Sequence, residues 1–213
     1  INFSTRNKIQ IKAPHYILIT SNKGENYLEN IGYALQNVTL EMACLGLGTT
    51  WLKCMLTRDE VEEFVNLDKI KDKDESEIEY PQAIIAFGYP QEGEALFRSS
   101  SAIHDRHRMK HICKTYDEKW FNALNALRVA PSINNCQPWT LEQRENGFDL
   151  FEDEHKKRLE LDKYSRISMG VALRHFEIAC KHDDIDIEYK KLDVKDKRRK
   201  LYFLSVVEKA RQV

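Results

Sequence analysis

The sequence predicts an α+β fold with a largely antiparallel sheet and helices on both faces. Apolar residues of segment 27–45 recur at steps of three and four, the spacing of one helix face. Short β-branched and aromatic runs at 14–20 and 83–90 are typical of buried strands. Asn146 and Gly147 separate two further apolar runs, which indicates a hairpin turn between antiparallel strands.

Local signals then define the elements along the chain. Gly46 follows the first long helix, where glycine commonly ends a helix in a left-handed conformation. Pro131 ends a later helix because proline lacks an N–H group and clashes with the preceding turn. In order, the predicted elements are strand 14–20, helix 27–45, short acidic helix 58–66, strand 83–90, helix 118–130, strands 139–143 and 148–152, helix 167–181 and strands 185–190 and 201–207.

Composition excludes several classes of protein. Of 213 residues, 42% are hydrophobic and 31% charged, a balance typical of globular proteins. The net charge of −1 gives no reason to expect a nucleic-acid or anionic-membrane partner, and no apolar run reaches membrane-spanning length. No secretory signal leads the chain, and the five cysteines never form a C-x-x-C pair. We therefore expect reduced thiols in the cytoplasm rather than disulfides or a zinc site.

Residues 130–139, with the sequence APSINNCQPW, carry the densest functional signal. Two prolines frame Ser132, Asn134, Asn135 and Gln137, which offer hydroxyl and amide groups for hydrogen bonding. Such a stiff polar loop suits the edge of a flat, heteroatom-rich ligand. An ordinary helix-to-strand turn is the alternative, because proline, asparagine and serine are common turn residues.

A second candidate segment is residues 46–54, GLGTTWLKC, which follows the first long helix. Its two glycines permit an unusual backbone path, and the residues after them run extended past Trp51. An extended backbone can present N–H and C=O groups to a planar ring. A tight connection with Trp51 in the core is the alternative.

The third candidate is the basic segment 98–111. Arg106 and Arg108 lie two residues apart, so both side chains point to one side of an extended segment and could bind a phosphate. His104, His107 and His111 are spaced for one helix face, but no carboxylate or cysteine pattern completes a ligand set. We expect no metal there, and a solvated linker is the alternative.

Two helices resemble each other. Residues 31–35 (IGYAL) match 169–173 (MGVAL), and each helix carries an Ala-Cys pair further on. The glycines and alanines would allow close helix approach. This pattern indicates an internal duplication whose halves meet about a local two-fold axis, while chance similarity of amphipathic helices is the alternative.

Together these residues resemble the nitroreductase family of FMN-dependent oxidoreductases. Residues 130–139 resemble its A-P-S-x-x-N-x-Q-P-W loop, and residues 27–32 ahead of 46–52 resemble its central helix and G-L-G-T-x-W turn. Residues 86–90 and 106–108 resemble its strand and the following basic pair. The resemblance implies an α/β/α sandwich around a central mixed, mainly antiparallel sheet.

The order of these motifs implies a particular branch. In ordinary members the A-P-S loop precedes the G-L-G-T turn, whereas here it follows. A branch with two fused half-copies in one chain has this order. The halves would be residues 1–97, without the N-terminal arm of the family, and residues 98–213, and together they would form one compact unit. The chain would be a monomer that imitates the usual dimer, with weak self-association possible.

The resemblance also implies a flavin site. Pro131, Ser132, Ile133 and Asn135 would line one side of FMN; Trp51, Leu52, Lys53 and Cys54 would pass along the ring edge; Arg106 and Arg108 would reach the phosphate. Three departures weaken this site: the R-R-S-x-R segment is absent and would precede Ile1, Lys53 and Cys54 stand where glycines are common, and Ser168 replaces an acid.

The implied activity is reduction of nitroaromatic or quinone-like acceptors by NADH or NADPH in a ping-pong mechanism. FMN would carry the chemistry, so no catalytic side chain is expected. A small electron acceptor would be the partner. One alternative is a nitroreductase-like scaffold without redox activity that binds a small molecule or another protein. Another is a hydrolase or metal enzyme that uses Cys136 or the histidines.

Overall fold

The computed structural model describes residues 12–63, 65–67, 74, 77–97, 105–154 and 162–210. The elements, in chain order, are β1 (His15–Ser21), α1 (Tyr27–Cys44), β2 (Gly48–Lys53), α2 (Arg58–Glu62), β3 (Tyr80–Gly88), α3 (Met109–Ile112), α4 (Phe121–Val129), β4 (Trp139–Arg144), β5 (Gly147–Asp153), α5 (Asp162–His182), β6 (Ile187–Lys190) and β7 (Lys200–Glu208). Short 3₁₀ turns cover Glu118–Trp120 and Ile133–Asn135. No helix in these ranges is both long and apolar enough to span a bilayer.

The first sheet has three antiparallel strands in the order β1-β3-β2. The central strand β3 is almost completely buried over residues 81–86, which include the apolar run 83–86 and the buried polar Gln82. Strand β2 lies at one edge, where Trp51 pairs with Ile85 of β3. The other side of β2 has no partner among the described strands.

The second sheet has four antiparallel strands in the order β4-β5-β7-β6. Strands β4 and β5 form the hairpin predicted at Asn146 and Gly147, and Gly147 has a φ of +135° that favours glycine. Strand β6 lies at the edge beside β7, as β2 lies beside β3 in the first sheet. In both sheets the chain therefore runs from a strand through a long helix to an edge strand and then back to the strand between them.

Helices α1 and α5 cross at two glycines that face each other's backbone. A Cβ atom on Gly32 would lie 1.9 Å from the carbonyl oxygen of Ile167, and one on Gly170 would lie 1.9 Å from that of Glu29. Gly32 thus lies over Ile167, three residues before Gly170, and Gly170 lies over Glu29, three residues before Gly32. The two contacts are reciprocal, and they require glycine because any side chain would overlap a main-chain atom.

One hydrophobic core connects both sheets through these helices. It includes Ile85 of the first sheet, Phe148 of the second and Phe176 of α5, all fully buried. The Trp120 ring contacts both phenylalanine rings at centroid distances of 5.2 and 6.0 Å. Burial of such rings is a large apolar contribution to folding, of about 1.5–3 kcal/mol for each phenylalanine.

The α+β class with antiparallel sheets is confirmed, although the strands form two sheets rather than one central sheet. The short helix predicted at 58–66 is assigned only over Arg58–Glu62, where Thr57 caps it with a hydrogen bond from the Glu60 amide. The last helix begins five residues earlier than predicted. Most of residues 69–79 lie outside the described residues, and so do residues 98–104 of the basic segment, which include His104.

Candidate functional site

The two sequence motifs predicted to form a site lie in one cavity of about 400 Å³. Strand β2 and helix α1 form one wall, and the loop after α4 and helix α5 form the other. Its lining residues are Gln36, Thr39, Thr49, Thr50, Trp51, Leu52, Ala83, Pro131, Ser132, Ile133, Asn134, Tyr164, Ile167, Ser168 and Val171. The volume is within the range of about 300–1,000 Å³ usual for small-molecule sites.

The edge of β2 forms one side of this cavity. Side chains alternate between the faces of a strand, yet the four consecutive residues 49–52 all line the cavity. The cavity therefore runs along the backbone edge rather than over one face. The edge opposite β3 has no strand partner among those described, so its N–H and C=O groups are available for hydrogen bonding.

The loop of residues 131–138 is held in place by its own side chains and by helix α5. The Ile133 amide donates to Ser168 Oγ at 3.1 Å, and Ser168 Oγ donates to the Tyr164 carbonyl at 2.7 Å. The Gln137 amide donates to Ser132 Oγ at 2.9 Å. Asn134, with a φ of +47°, adopts the left-handed conformation that asparagine tolerates, and its side chain faces the cavity region.

The Trp51 indole connects to helix α5 through a buried glutamine. Trp51 Nε1 donates to Gln36 Oε1 at 3.2 Å, and Gln36 Nε2 lies 3.1 Å from His175 Nε2. Gln36 is only 4% exposed. Burial lowers the pKa of His175 to about 4, so its imidazole is neutral at neutral pH.

Tyr164 closes the end of the cavity beside β2. Its hydroxyl donates to the carbonyl oxygen of Cys54 at 3.0 Å, which joins α5 to the residue after β2. Burial, with the nearby Cys54 thiol, raises the pKa of Tyr164 to about 12, and burial also raises the pKa of the Cys54 thiol. Neither group is ionised at neutral pH, and burial lowers the pKa of the adjacent Lys163 ammonium.

Arg106 and Asn135 bind each other instead of lining the cavity. Arg106 Nη1 donates to Asn135 Oδ1 at 2.6 Å, and Asn135 Nδ2 donates to the Asp105 carbonyl at 2.6 Å. The buried Gln137 side chain accepts from the His107 amide at 2.8 Å. These contacts fasten residues 105–107 to the loop of residues 131–138. Arg108 is exposed at the start of α3.

The predicted flavin-site residues thus divide into two groups. Trp51, Leu52, Pro131, Ser132 and Ile133 line the common cavity, whereas Lys53, Cys54, Asn135, Arg106 and Arg108 do not. Sequence reasoning missed Gln36, Thr39 and Tyr164 as lining residues. Gln36 lies one helical turn after Gly32 but outside the predicted apolar face, so apolar periodicity alone could not single it out.

Among the described residues, the cavity lining carries no ionised side chain at neutral pH, because Tyr164 is the one titratable residue there and stays protonated. Hydroxyl and amide groups supply the polarity instead. Cys136 is half-buried and is not among the lining residues. Among the described residues, no cluster of three or more His, Cys, Asp or Glu could hold a metal ion. The geometry therefore suits a neutral, flat molecule that bears hydrogen-bonding atoms along an edge.

Comparison with known proteins agrees with this geometry. A crystal structure of a protein described as a putative nitroreductase from Thermotoga maritima superposes with a TM-score of 0.60 at 16% identity, covering 92% of this chain and 70% of that chain. This likeness shows the fold. A search of curated proteins found no match. Residues 2–180 match the family described as "Putative TM nitroreductase". Because the match spans most of the sequence, the chain belongs to this nitroreductase family.

Proposed function

We propose that this protein is an FMN-dependent oxidoreductase that reduces nitroaromatic or quinone-like acceptors with NADH or NADPH. Its family supports a general oxidoreductase function. The observation that carries the proposal is the cavity in which the β2 edge and the loop of residues 131–134 face each other. These are the two segments whose sequences resemble the flavin-binding motifs of nitroreductases.

The residues present fit the ring of a flavin. An isoalloxazine ring is flat, with hydrogen-bonding atoms along one edge. The unpaired backbone edge of residues 49–52 offers both donors and acceptors, and Pro131, Ile133 and Val171 offer apolar contact. The uncharged lining suits the ring system, which is neutral when oxidised.

The phosphate of FMN needs a different partner, because no cationic side chain in the described part of the chain lines the cavity. Arg106 already binds Asn135 Oδ1 and, at 3.3 Å, the Val129 carbonyl. Arg108 is exposed and remains our proposed phosphate ligand, with Arg106 beside it. A doubly charged phosphate bound by Arg108 would then lie outside the lined cavity, where water can solvate it in part.

A bound FMN would supply the redox chemistry, namely acceptance of a hydride from NADH or NADPH and two-electron reduction of the acceptor. The chain's own residues would bind and orient. The β2 backbone would hold the ring edge, Trp51 would shield one flank, and the loop of residues 131–134 would exclude water. Reductant and acceptor would occupy the same space in turn, which is the ping-pong order.

We also propose that two related halves, residues 1–97 and 98–213, build this site within one chain. The equivalent paths of the two sheets and the reciprocal contacts of Gly32 and Gly170 support this organisation. The protein would then act as a monomer. Sedimentation of the purified protein at several concentrations tests this, and a stable dimer would count against it.

The first experiment is titration of the purified protein with FMN, followed by flavin fluorescence and absorbance. We expect saturable binding of FMN and then oxidation of NADH or NADPH when a quinone is added. A protein that binds FMN without oxidising either reductant would favour the alternative of a scaffold that lost redox activity. A protein that takes up no FMN would refute the proposal.

A further inference from the structure

Gln36 lies between the cavity and helix α5, and its role has no counterpart in the sequence motifs. We infer that Gln36 is a positioning residue. The oxygen of its side-chain amide holds the Trp51 indole in the cavity wall, and the nitrogen of the same amide is anchored on His175. Trp51 and Gln36 both line the cavity, whereas His175 lies behind them. We refer to these three side chains as the indole relay.

The direction of each hydrogen bond in the indole relay follows from the groups involved. The indole N–H can only donate, so it must meet the carbonyl oxygen of the Gln36 amide. The amide nitrogen then faces His175, and an amide nitrogen can also only donate. His175 Nε2 must therefore accept, which leaves the imidazole proton on Nδ1.

The protonation state of His175 agrees with this direction. Burial of the imidazole lowers its pKa to about 4, so an unprotonated Nε2 is available at neutral pH. Gln36 itself is almost completely buried. Loss of either partner would leave the amide with an unmatched polar atom inside the protein, which is unfavourable. The relay thus has one stable arrangement, and it fixes the plane of the indole.

The helix pair contains a matched contact that does not reach the cavity. Gln36 and Arg174 each lie one turn after the crossing glycine of their helix, and Asn37 and His175 each follow by one residue. Arg174 Nη2 donates to Asn37 Oδ1 at 2.6 Å, as the counterpart of the bond between Gln36 and His175. Neither Arg174 nor Asn37 lines the cavity. Asn37→Leu is therefore the matched control.

The first test needs no ligand. In a ¹H–¹⁵N spectrum, each of the three tryptophans gives one indole N–H peak, and Trp51→Phe identifies that of Trp51. We expect Gln36→Leu to move this peak upfield and to speed its exchange with solvent, and Asn37→Leu to leave it unchanged. An unmoved Trp51 peak in a folded Gln36→Leu variant would overturn the inference.

The second test replaces the hydrogen-bond donor that faces His175 with an acceptor. In Gln36→Glu, a carboxylate can still accept from the indole but cannot donate to a neutral His175. A protonated imidazole becomes the better partner, so the pKa of His175 should rise from about 4 to its usual value of 6.5 or above. The Cε1–H resonance of His175 reports this titration. A midpoint that stays near 4 would show that Gln36 does not face His175.

The functional part of the inference rests on the proposed flavin site, whereas the two spectroscopic tests do not. Loss of one net hydrogen bond corresponds to a change in affinity of about two- to tenfold. We therefore expect the FMN dissociation constant to rise by about this factor in Gln36→Leu and to stay constant in Asn37→Leu. A Trp51 peak that moves without any change in FMN affinity would overturn the positioning role. Failure of the wild-type protein to bind FMN would instead refute the flavin site and leave the indole relay intact.

Discussion

The crossing of α1 and α5 gives the sharpest prediction for stability, because Gly170 faces a main-chain oxygen. A Cβ atom there would lie 1.9 Å from the Glu29 oxygen, whereas carbon and oxygen normally approach to about 3.3 Å. Gly170→Ala must therefore separate the helices by about 1.4 Å at this point. Overpacking of this kind costs about 1–3 kcal/mol or more, and the better helix propensity of alanine returns about 1 kcal/mol. We expect a net loss of about 2 kcal/mol, the upper end of the difference, because a main-chain oxygen cannot rotate away as a side chain can.

Urea unfolding, followed by circular dichroism, measures this loss directly. Gly24→Ala is the matched control, since a Cβ atom there meets only the Asn22 side chain at 3.9 Å. The control should change stability by less than about 1 kcal/mol. Gly32→Ala should behave like Gly170→Ala because the contact is reciprocal. The double variant should lose less than the sum of the two, since the first substitution already parts the helices.

A Gly170→Ala variant as stable as the wild type would refute the close approach of the helices. Strict additivity of Gly32→Ala and Gly170→Ala would also count against it, because independent sites add whereas a common contact does not. Both helices line the cavity, through Gln36 on α1 and Val171 on α5. Parting them should therefore also weaken the binding of FMN.

Three further predictions concern the site. The pKa of His175 is depressed, so between pH 4 and 6.5 the unfolded chain binds one more proton than the folded protein. The free energy of unfolding should therefore fall by up to about 3 kcal/mol as the pH drops through this window. Urea unfolding of His175→Gln should show a weaker dependence of this free energy on pH. Ser168→Ala removes the acceptor of the Ile133 amide, so we expect the free energy of unfolding to fall by about 1 kcal/mol and the FMN dissociation constant to rise. If both values are unchanged, Ser168 does not hold the loop of residues 131–138 in place. Arg108→Ala should weaken FMN binding, increasingly so at low salt, and an unaltered affinity would remove Arg108 from the phosphate site.

The sequence was sufficient where local chemistry decides the conformation. The end of α1 follows from Gly46, which has a φ of +81°, and the hairpin follows from Asn146 and Gly147. Both are positions where the backbone needs a left-handed residue or a tight turn, which few residue types allow. The joint cavity was also expected, because the resemblance to the nitroreductase family implied that both motifs contact one ligand.

Tertiary contacts decided the rest. Residues 162–166 (DKYSR) lack apolar periodicity, so the first turn of α5 and with it Tyr164 could not be predicted. This turn is held by distant partners: Ser165 donates to Glu152 at 2.7 Å, and Arg166 pairs with Glu29 at 3.0 Å. Similarly, nothing local indicates that Arg106 binds Asn135 from across the chain.

The equivalent positions of the crossed helices have a consequence for evolution. When two identical subunits meet about an axis, every substitution appears on both sides at once, so neither side can specialise alone. A single chain made of two related halves, as we propose for this protein, would escape this constraint. Here glutamine at 36 and arginine at 174 occupy matching positions, and so do Trp-bearing β2 and Tyr-bearing β6. On one side of the helix pair lies the open, uncharged cavity. On the other side, Arg174 and Glu177 form an ion pair at 2.8 Å beside the Tyr33 ring. The fusion that we propose would thus allow one half to be selected for chemistry and the other for stability.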